Sequence, residues 1–288
     1  MLKKNIQKLL GLLASPFMKI EKNIRERSEN AGQVFVPIFH DVPKHEIGRF
    51  RELLIHLQKK YDFLDPEDFI SFMKGNIDLN KDHLLLTFDD AFKSNYRVAQ
   101  EILNPLQIKA IFFIPTGFID SRNPEAQELY IRKNLCLDKS VFNSCFNEIE
   151  SMTVENLSDL INMGHTIGAH TKSHLRLSEM LDDKVLEEEI VSSGDRIEEF
   201  LGLRVKHFAY PFGDIGSISQ KASEIARGRY EYIYSGVRGP NKLGISPGAI
   251  RREALNISDG IKYNTFVAAG GLSCYYWKAR KQLDVMVQ

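Results

Sequence analysis

Asp89 and Asp90 close the run "LLLTFDD", and His170 and His174 stand four apart in "IGAHTKSHLRL". Residues at i and i+4 share one face of a helical turn, so both imidazoles can reach a single ion. Two adjacent carboxylates can diverge, one toward a metal and one toward the water that the metal activates. Each pair also has an ordinary reading. One aspartate can cap the helix that follows while the other is solvated, and a bare HxxxH is more often two surface histidines. What sets them apart is that each pair follows a short apolar run of strand character. A third segment, "FAYPFG" at 208–213, ends a run in the same way. Pro211 fixes its own φ and Gly213 permits a tight turn, so the turn can aim the backbone N–H of Phe212 at a developing oxyanion. Taken alone, that segment reads better as a plain strand-to-helix turn.

The elements that must position these groups alternate regularly from residue 33 onward. Candidate strands are 34–39, 84–88, 110–115, 165–169, 207–210, 231–235 and 249–253. Helical patterns separate most of them, such as "LEEEIVSSGDRIEEFLG" at 186–202, which ends on a C-terminal glycine signal. Strand, helix, strand repeated about seven times predicts an α/β fold with a parallel sheet closed as a barrel. In such folds functional groups gather at the carboxyl ends of strands, where all three segments sit. Residues 119–150 read as a helical insertion, and no linker divides 31–288, which is expected to be one domain after an N-terminal appendage, 1–30.

Composition narrows the function. Hydrophobic residues make up 43% and charged residues 26%, as in an ordinary globular protein. Basic and acidic residues number 38 each, so no global field recruits a nucleic acid. Three cysteines, Cys136, Cys145 and Cys274, cannot all pair within one chain, although Cys136 and Cys145 can bridge; a reducing compartment is the simpler expectation. Near the start, Leu2, Ile6, Leu9, Leu13 and Phe17 make one helical face, with Lys3, Lys4 and Lys8 off it. That stripe fits either peripheral contact of residues 1–20 with an anionic membrane surface or a helix packed on the domain. Location is accordingly expected to be cytoplasmic, peripheral on the inner face of the membrane if the stripe binds lipid; the signal-like start leaves secretion open.

The motifs "TFDD" (87–90), "HTKSH" (170–174) and "FAYPFG" (208–213), in that order, resemble those of the polysaccharide deacetylases of carbohydrate esterase family 4, the NodB homology domain. The likeness runs from about residue 33 to 255. It implies a distorted (β/α)7-type barrel with a parallel strand core and metal-dependent removal of an N-acetyl group from an amino sugar. By the same likeness Asp90, His170 and His174 would ligate the metal and Asp89 would be the general base. Tyr210, Pro211 and Phe212 would form the oxyanion and substrate side. Two carboxylate-and-imidazole requirements of amide hydrolysis, a Lewis acid and a proton acceptor, are met by those residue types.

The chain departs from the family at two points. The acid histidine usual near the C-terminus is missing, since no histidine follows His207, and the third motif lacks its arginine. A circularly permuted member carries that histidine on the first strand, which assigns the acid role to His40 in "FVPIFHDV". Arg251 or Arg252 can replace the arginine beside Asp89, and Arg252 is taken as the substrate-side candidate. The expected cofactor is one divalent ion, Zn2+ first, with Co2+, Ni2+, Mn2+ or Fe2+ also compatible. The expected partner is an N-acetylated sugar or glycan, polymeric or lipid-linked. Two other readings stand beside it: a carbohydrate-binding barrel with lost or weak turnover, and hydrolysis of a non-sugar amide.

Overall fold

The computed structural model describes residues 32–135 and 150–288. The expected appendage at 1–30, the lipid-facing stripe within it, and Cys136 and Cys145 lie outside them. Cys274 is a free, exposed thiol.

Ten short strands are described: β1 Val34–Phe35, β2 Pro37–Phe39, β3 Asp62–Phe63, β4 His83–Leu84, β5 Leu86–Phe88, β6 Ala110–Ile114, β7 Thr166–Ala169, β8 His207–Ala209, β9 Tyr232–Tyr234 and β10 Glu253–Ala254. Seven form one parallel sheet in the order β10-β2-β5-β6-β7-β8-β9. A parallel bridge between Tyr234 and Ile250 brings its two edges together, so the sheet curls into a barrel. The expected α/β barrel is therefore the observed architecture.

Alternation within the strands builds two apolar layers. Phe88, Phe112, Ile167 and Phe208 face outward into the main core beneath the helices. Leu85, Ile111, Phe113, Ala209 and Tyr234 face the other way and fill the inside of the curl. Phe88 and Phe112 stack at 5.0 Å between centroids, and Phe113 meets Tyr234 at 4.9 Å. Burying each such ring contributes about 1.5–3 kcal/mol relative to leaving it exposed.

Several boundaries differ from the sequence reading. The runs 34–39 and 84–88 each break at one residue, Val36 and Leu85, because each changes sheets there. Their first halves pair in a small sheet ordered β1-β4-β3, and their second halves join the barrel. Pro37 opens β2, where a missing donor costs no ladder bond. β4 starts at His83, one residue ahead of the expected run 84–88. The last strand is 253–254, not 249–253, with only the Ile250 bridge ahead of it. The expected insertion begins with the helices Thr116–Asp120 and Pro124–Asn134.

The helix Asp183–Leu201 shows how the sequence sets such elements. Asp182 caps its start by accepting from the Lys184 N–H, and Gly202 ends it at φ 64°. Leu186, Glu189, Ile190, Ser193 and Ile197 make its buried face. Among the described residues no helix is long and apolar enough to cross a membrane.

Candidate metal centre and active site

Because every strand of the barrel runs the same way, the residues just past β2, β5, β7 and β8 collect at one mouth. These are His40, Asp89 with Asp90, His170, and Tyr210 onward. Ladder bonds continue beyond the strands and fix them: Asp89 N–H donates to Phe39 O at 2.9 Å, and His170 N–H to Ile114 O at 3.0 Å. Strand alternation would send Asp90 to the face opposite Asp89. A left-handed backbone at Asp90 (φ 75°) and Ala91 (φ 56°) breaks the alternation, so both carboxylates serve the mouth. Of the six described non-glycine residues with positive φ, four lie in the three motifs, Asp90, Thr171, His174 and Phe212, and a fifth, Ala91, directly follows the first. Each costs on the order of 1–3 kcal/mol and persists only where the surroundings dictate it.

Asp90, His170 and His174 are all buried, and their ligand atoms lie within 4.8 Å of one another. Asp90 Oδ1 is 3.4 Å from His174 Nε2 and 3.6 Å from His170 Nε2. The other ring nitrogens are committed elsewhere. His170 Nδ1 lies 2.7 Å from Ala209 O, and His174 Nδ1 lies 3.0 Å from Asn134 O. A carbonyl only accepts, so each Nδ1 carries the proton and each Nε2 presents a lone pair. Burial drives the His170 pKa down to about 4, against the pull of Asp89, so the ring is neutral near pH 7. Asp90 Oδ1 is buried without a hydrogen-bond partner. An orphaned carboxylate oxygen facing two imidazole lone pairs fits a divalent cation.

Asp89 is built differently. Burial opposes its charge, but the Arg252 guanidinium, then His170 and His40, outweigh that and hold its carboxyl below the usual value. The pair is bidentate: Arg252 Nη1 to Oδ1 at 2.7 Å and Nη2 to Oδ2 at 3.0 Å. Arg252 also donates to Ser235 O at 3.0 Å and lies 5.1 Å over the Phe113 ring. Arg251 instead grips Asp284 at 2.7 and 2.8 Å. Of the two candidates, Arg252 is the one beside Asp89.

His40 follows β2 at the mouth and is exposed. Phe212 projects there too, with its ring 5.0 Å from that of His174 and 4.5 Å under the Arg176 guanidinium. Pro211 O accepts from the Gly213 N–H at 2.6 Å. Gly213 is at φ 67°, and a Cβ there would sit 2.3 Å from Gly236 N, so the turn requires glycine. Tyr210, expected on the substrate side, is elsewhere. Its side chain alternates with Phe208 on the outer face, is 1% exposed and packs edge-on against Phe208. Its ring does not line the mouth.

Sequence reasoning missed the groups that hold the 171–174 loop. The Tyr130 hydroxyl donates to Lys172 O at 3.0 Å, and Glu189 accepts backbone N–H groups of the loop. The available signal is an acidic residue within the stripe of Leu186, Ile190 and Ile197 on the 183–201 helix.

Residues 76–227 match the family described as polysaccharide deacetylase, a span holding all three motifs. This chain belongs to the polysaccharide deacetylase family. His40 precedes the matched span of the deacetylase and Arg252 follows it. The deacetylase's fold is similar to that of IcaB from Ammonifex degensii, at TM-score 0.65 and 20% identity, covering 83% of this chain and 97% of that one. It is similar as well to the Streptococcus pyogenes deacetylase PplD in complex with acetate, at 0.62 and 19%, covering 81% and 96%. The de-N-acetylase from Aggregatibacter actinomycetemcomitans matches at 0.58 and 14%, covering 82% and 98%. No curated protein sequence matches the deacetylase.

Proposed function

We propose that this deacetylase is a metal-dependent hydrolase that removes the acetyl group from an N-acetylated amino sugar in a polysaccharide or a lipid-linked glycan. The observation that carries the reading is the buried, unpartnered Asp90 Oδ1 facing the Nε2 atoms of His170 and His174. Asp90, His170 and His174 would hold the ion; two nitrogens and one carboxylate oxygen suit Zn2+ and also accept Co2+, Ni2+, Mn2+ or Fe2+. When bound, such an ion polarises an acetyl oxygen and lowers the pKa of a water toward about 7.

The remaining work falls to the chain's own groups. Asp89 takes the proton of the attacking water. Its ion pair with Arg252 keeps it ionised and fixes the plane of its carboxylate. The turn at Pro211–Gly213 sets the Phe212 backbone at the mouth, where its N–H suits a developing oxyanion. His40, exposed on the neighbouring strand end, delivers a proton to the leaving nitrogen, since an amine anion is a prohibitive leaving group. The acetate held by the Streptococcus pyogenes deacetylase is the acid that an acetamide yields on hydrolysis.

The test is acetate release from a panel of N-acetylated sugars, polymers and lipid-linked precursors, with and without a chelator. Release that stops on chelation and returns with added Zn2+ supports the reading. Release indifferent to chelator removes the metal. Sugar binding without release from any substrate favours a carbohydrate-binding barrel.

A further inference from the structure

The segment Thr171–His174 follows one ligand of the proposed metal centre, His170, and ends on another, His174. Its shape is unusual, with Thr171 at φ 64° and His174 at φ 51°. Left-handed backbone at a β-branched residue persists only where neighbours over-determine it. The carbonyl of Lys172 is held from one side by the Tyr130 hydroxyl at 3.0 Å and the Gly117 N–H at 2.9 Å. The amides are held from the other side by Glu189. Glu189 Oε2 accepts from Ser173 N–H at 2.7 Å and from Lys172 N–H at 3.1 Å, while Glu189's own carbonyl also accepts from Lys172 N–H at 3.1 Å. Glu189 is 5% exposed, on the helix face that otherwise buries Leu186, Ile190 and Ile197. An apolar side chain would fill that position without burying a charge. A carboxylate earns its place there only by what it accepts, and both donors belong to the ligand loop.

We propose that Glu189 is a positioning residue of the metal centre: by accepting the Lys172 and Ser173 amides it sets the loop that brings His174 Nε2 opposite Asp90. It rests on the metal-centre reading above and adds a residue outside the three motifs. Glu189 touches no reacting atom, and its effect reaches the ion only through His174.

Two conservative variants separate reach from charge. Glu189→Asp keeps the charge and withdraws the oxygen by one methylene; Glu189→Gln keeps the reach and one acceptor oxygen. Zn2+ affinity of the metal-free protein, measured by competition with a chromophoric chelator, should weaken about 10–100-fold in Glu189→Asp, as for other supports of a ligating histidine. Glu189→Gln should stay near wild type. Amide exchange at Lys172 and Ser173 in metal-free protein should quicken in the Asp variant and not in the Gln variant. Wild-type Zn2+ affinity in Glu189→Asp overturns the proposal, and so does a loss in Glu189→Gln that Glu189→Asp does not share. Wild-type protein that takes up no Zn2+ overturns the metal reading instead. Amide exchange then still decides whether Glu189 holds the loop, and unchanged exchange in Glu189→Asp sinks that as well.

Discussion

Replacing Arg252 with methionine isolates the buried Asp89 carboxylate and should cost about 3–5 kcal/mol at pH 7, as expected when one partner of a buried pair is removed. The proton equilibrium gives an independent figure of the same size. Asp89 is 4% and Arg252 1% exposed, so water cannot stand in for the guanidinium. The stranded carboxylate can escape its cost by taking a proton. From an ordinary value of 3.8, protonation at pH 7 costs about 1.4 kcal/mol for each of roughly three pH units, or about 4 kcal/mol. At pH 5 the same escape costs under about 2 kcal/mol. In the wild type the sign is opposite. There Asp89 sits below its ordinary value, so its contribution is fully present above pH 3.8 and is lost as pH falls through the folded pKa. In Arg252→Met burial wins and raises the folded pKa, so the variant's deficit should shrink as pH falls from 7 to 5.

The assay is urea unfolding of metal-free protein at pH 7, 6 and 5, comparing wild type, Arg252→Met, Asp89→Asn and the double variant. Taking differences at each pH cancels the titration of histidines remote from Asp89, such as His165 and His207. The double variant removes both charges and should recover much of the loss, with a coupling well outside the roughly 0.5 kcal/mol expected of independent sites. A deficit that does not change with pH, together with additive losses, would refute the reasoning. It would mean that Arg252 matters for its packing on Phe113 and its bond to Ser235 O, not for its charge on Asp89.

Other outcomes follow from the same geometry. His174→Ala removes one of the two imidazoles facing Asp90, so metal content by mass spectrometry should fall well below one ion per chain; full occupancy takes His174 out of the ligand set. His40→Ala should retain the metal and lose about 10²–10⁴-fold in turnover, and wild-type rates would end its acid role. Burial holds His165 at about 4 and His207 at about 3, against 6.5 when unfolded. The unfolded chain therefore binds those protons first. Their contribution is intact above about pH 6.5 and is lost on acidification toward pH 4 and 3, at up to about 1.4 kcal/mol per pH unit for each proton. A stability curve flat between pH 6 and 4 in metal-free protein would contradict this.

What the sequence reveals and what it hides divides along chain distance. The barrel strands are legible because burial on both faces makes them continuous apolar runs, and the ligand pairs are legible because each sits at the end of one such run. The breaks at Val36 and Leu85 are not, since the same apolar letters continue through them while the partner strand changes. Tyr210 reads as part of a mouth motif, yet alternation with Phe208 turns its ring into the outer core. Arg251 and Arg252 are indistinguishable as letters. On an extended chain they point to opposite sides, and only the register of that chain against its neighbours decides which one enters the barrel. Arg252 reaches Asp89 across 163 residues of sequence, and Glu189, on the helix Asp183–Leu201, accepts from Ser173 across 16. The groups that bear the chemistry are thus local motifs, whereas those that set the charge of the base and the shape of the ligand loop are long-range partners. Such partners carry no spacing signature, because the fold and not the neighbouring chain brings them into contact.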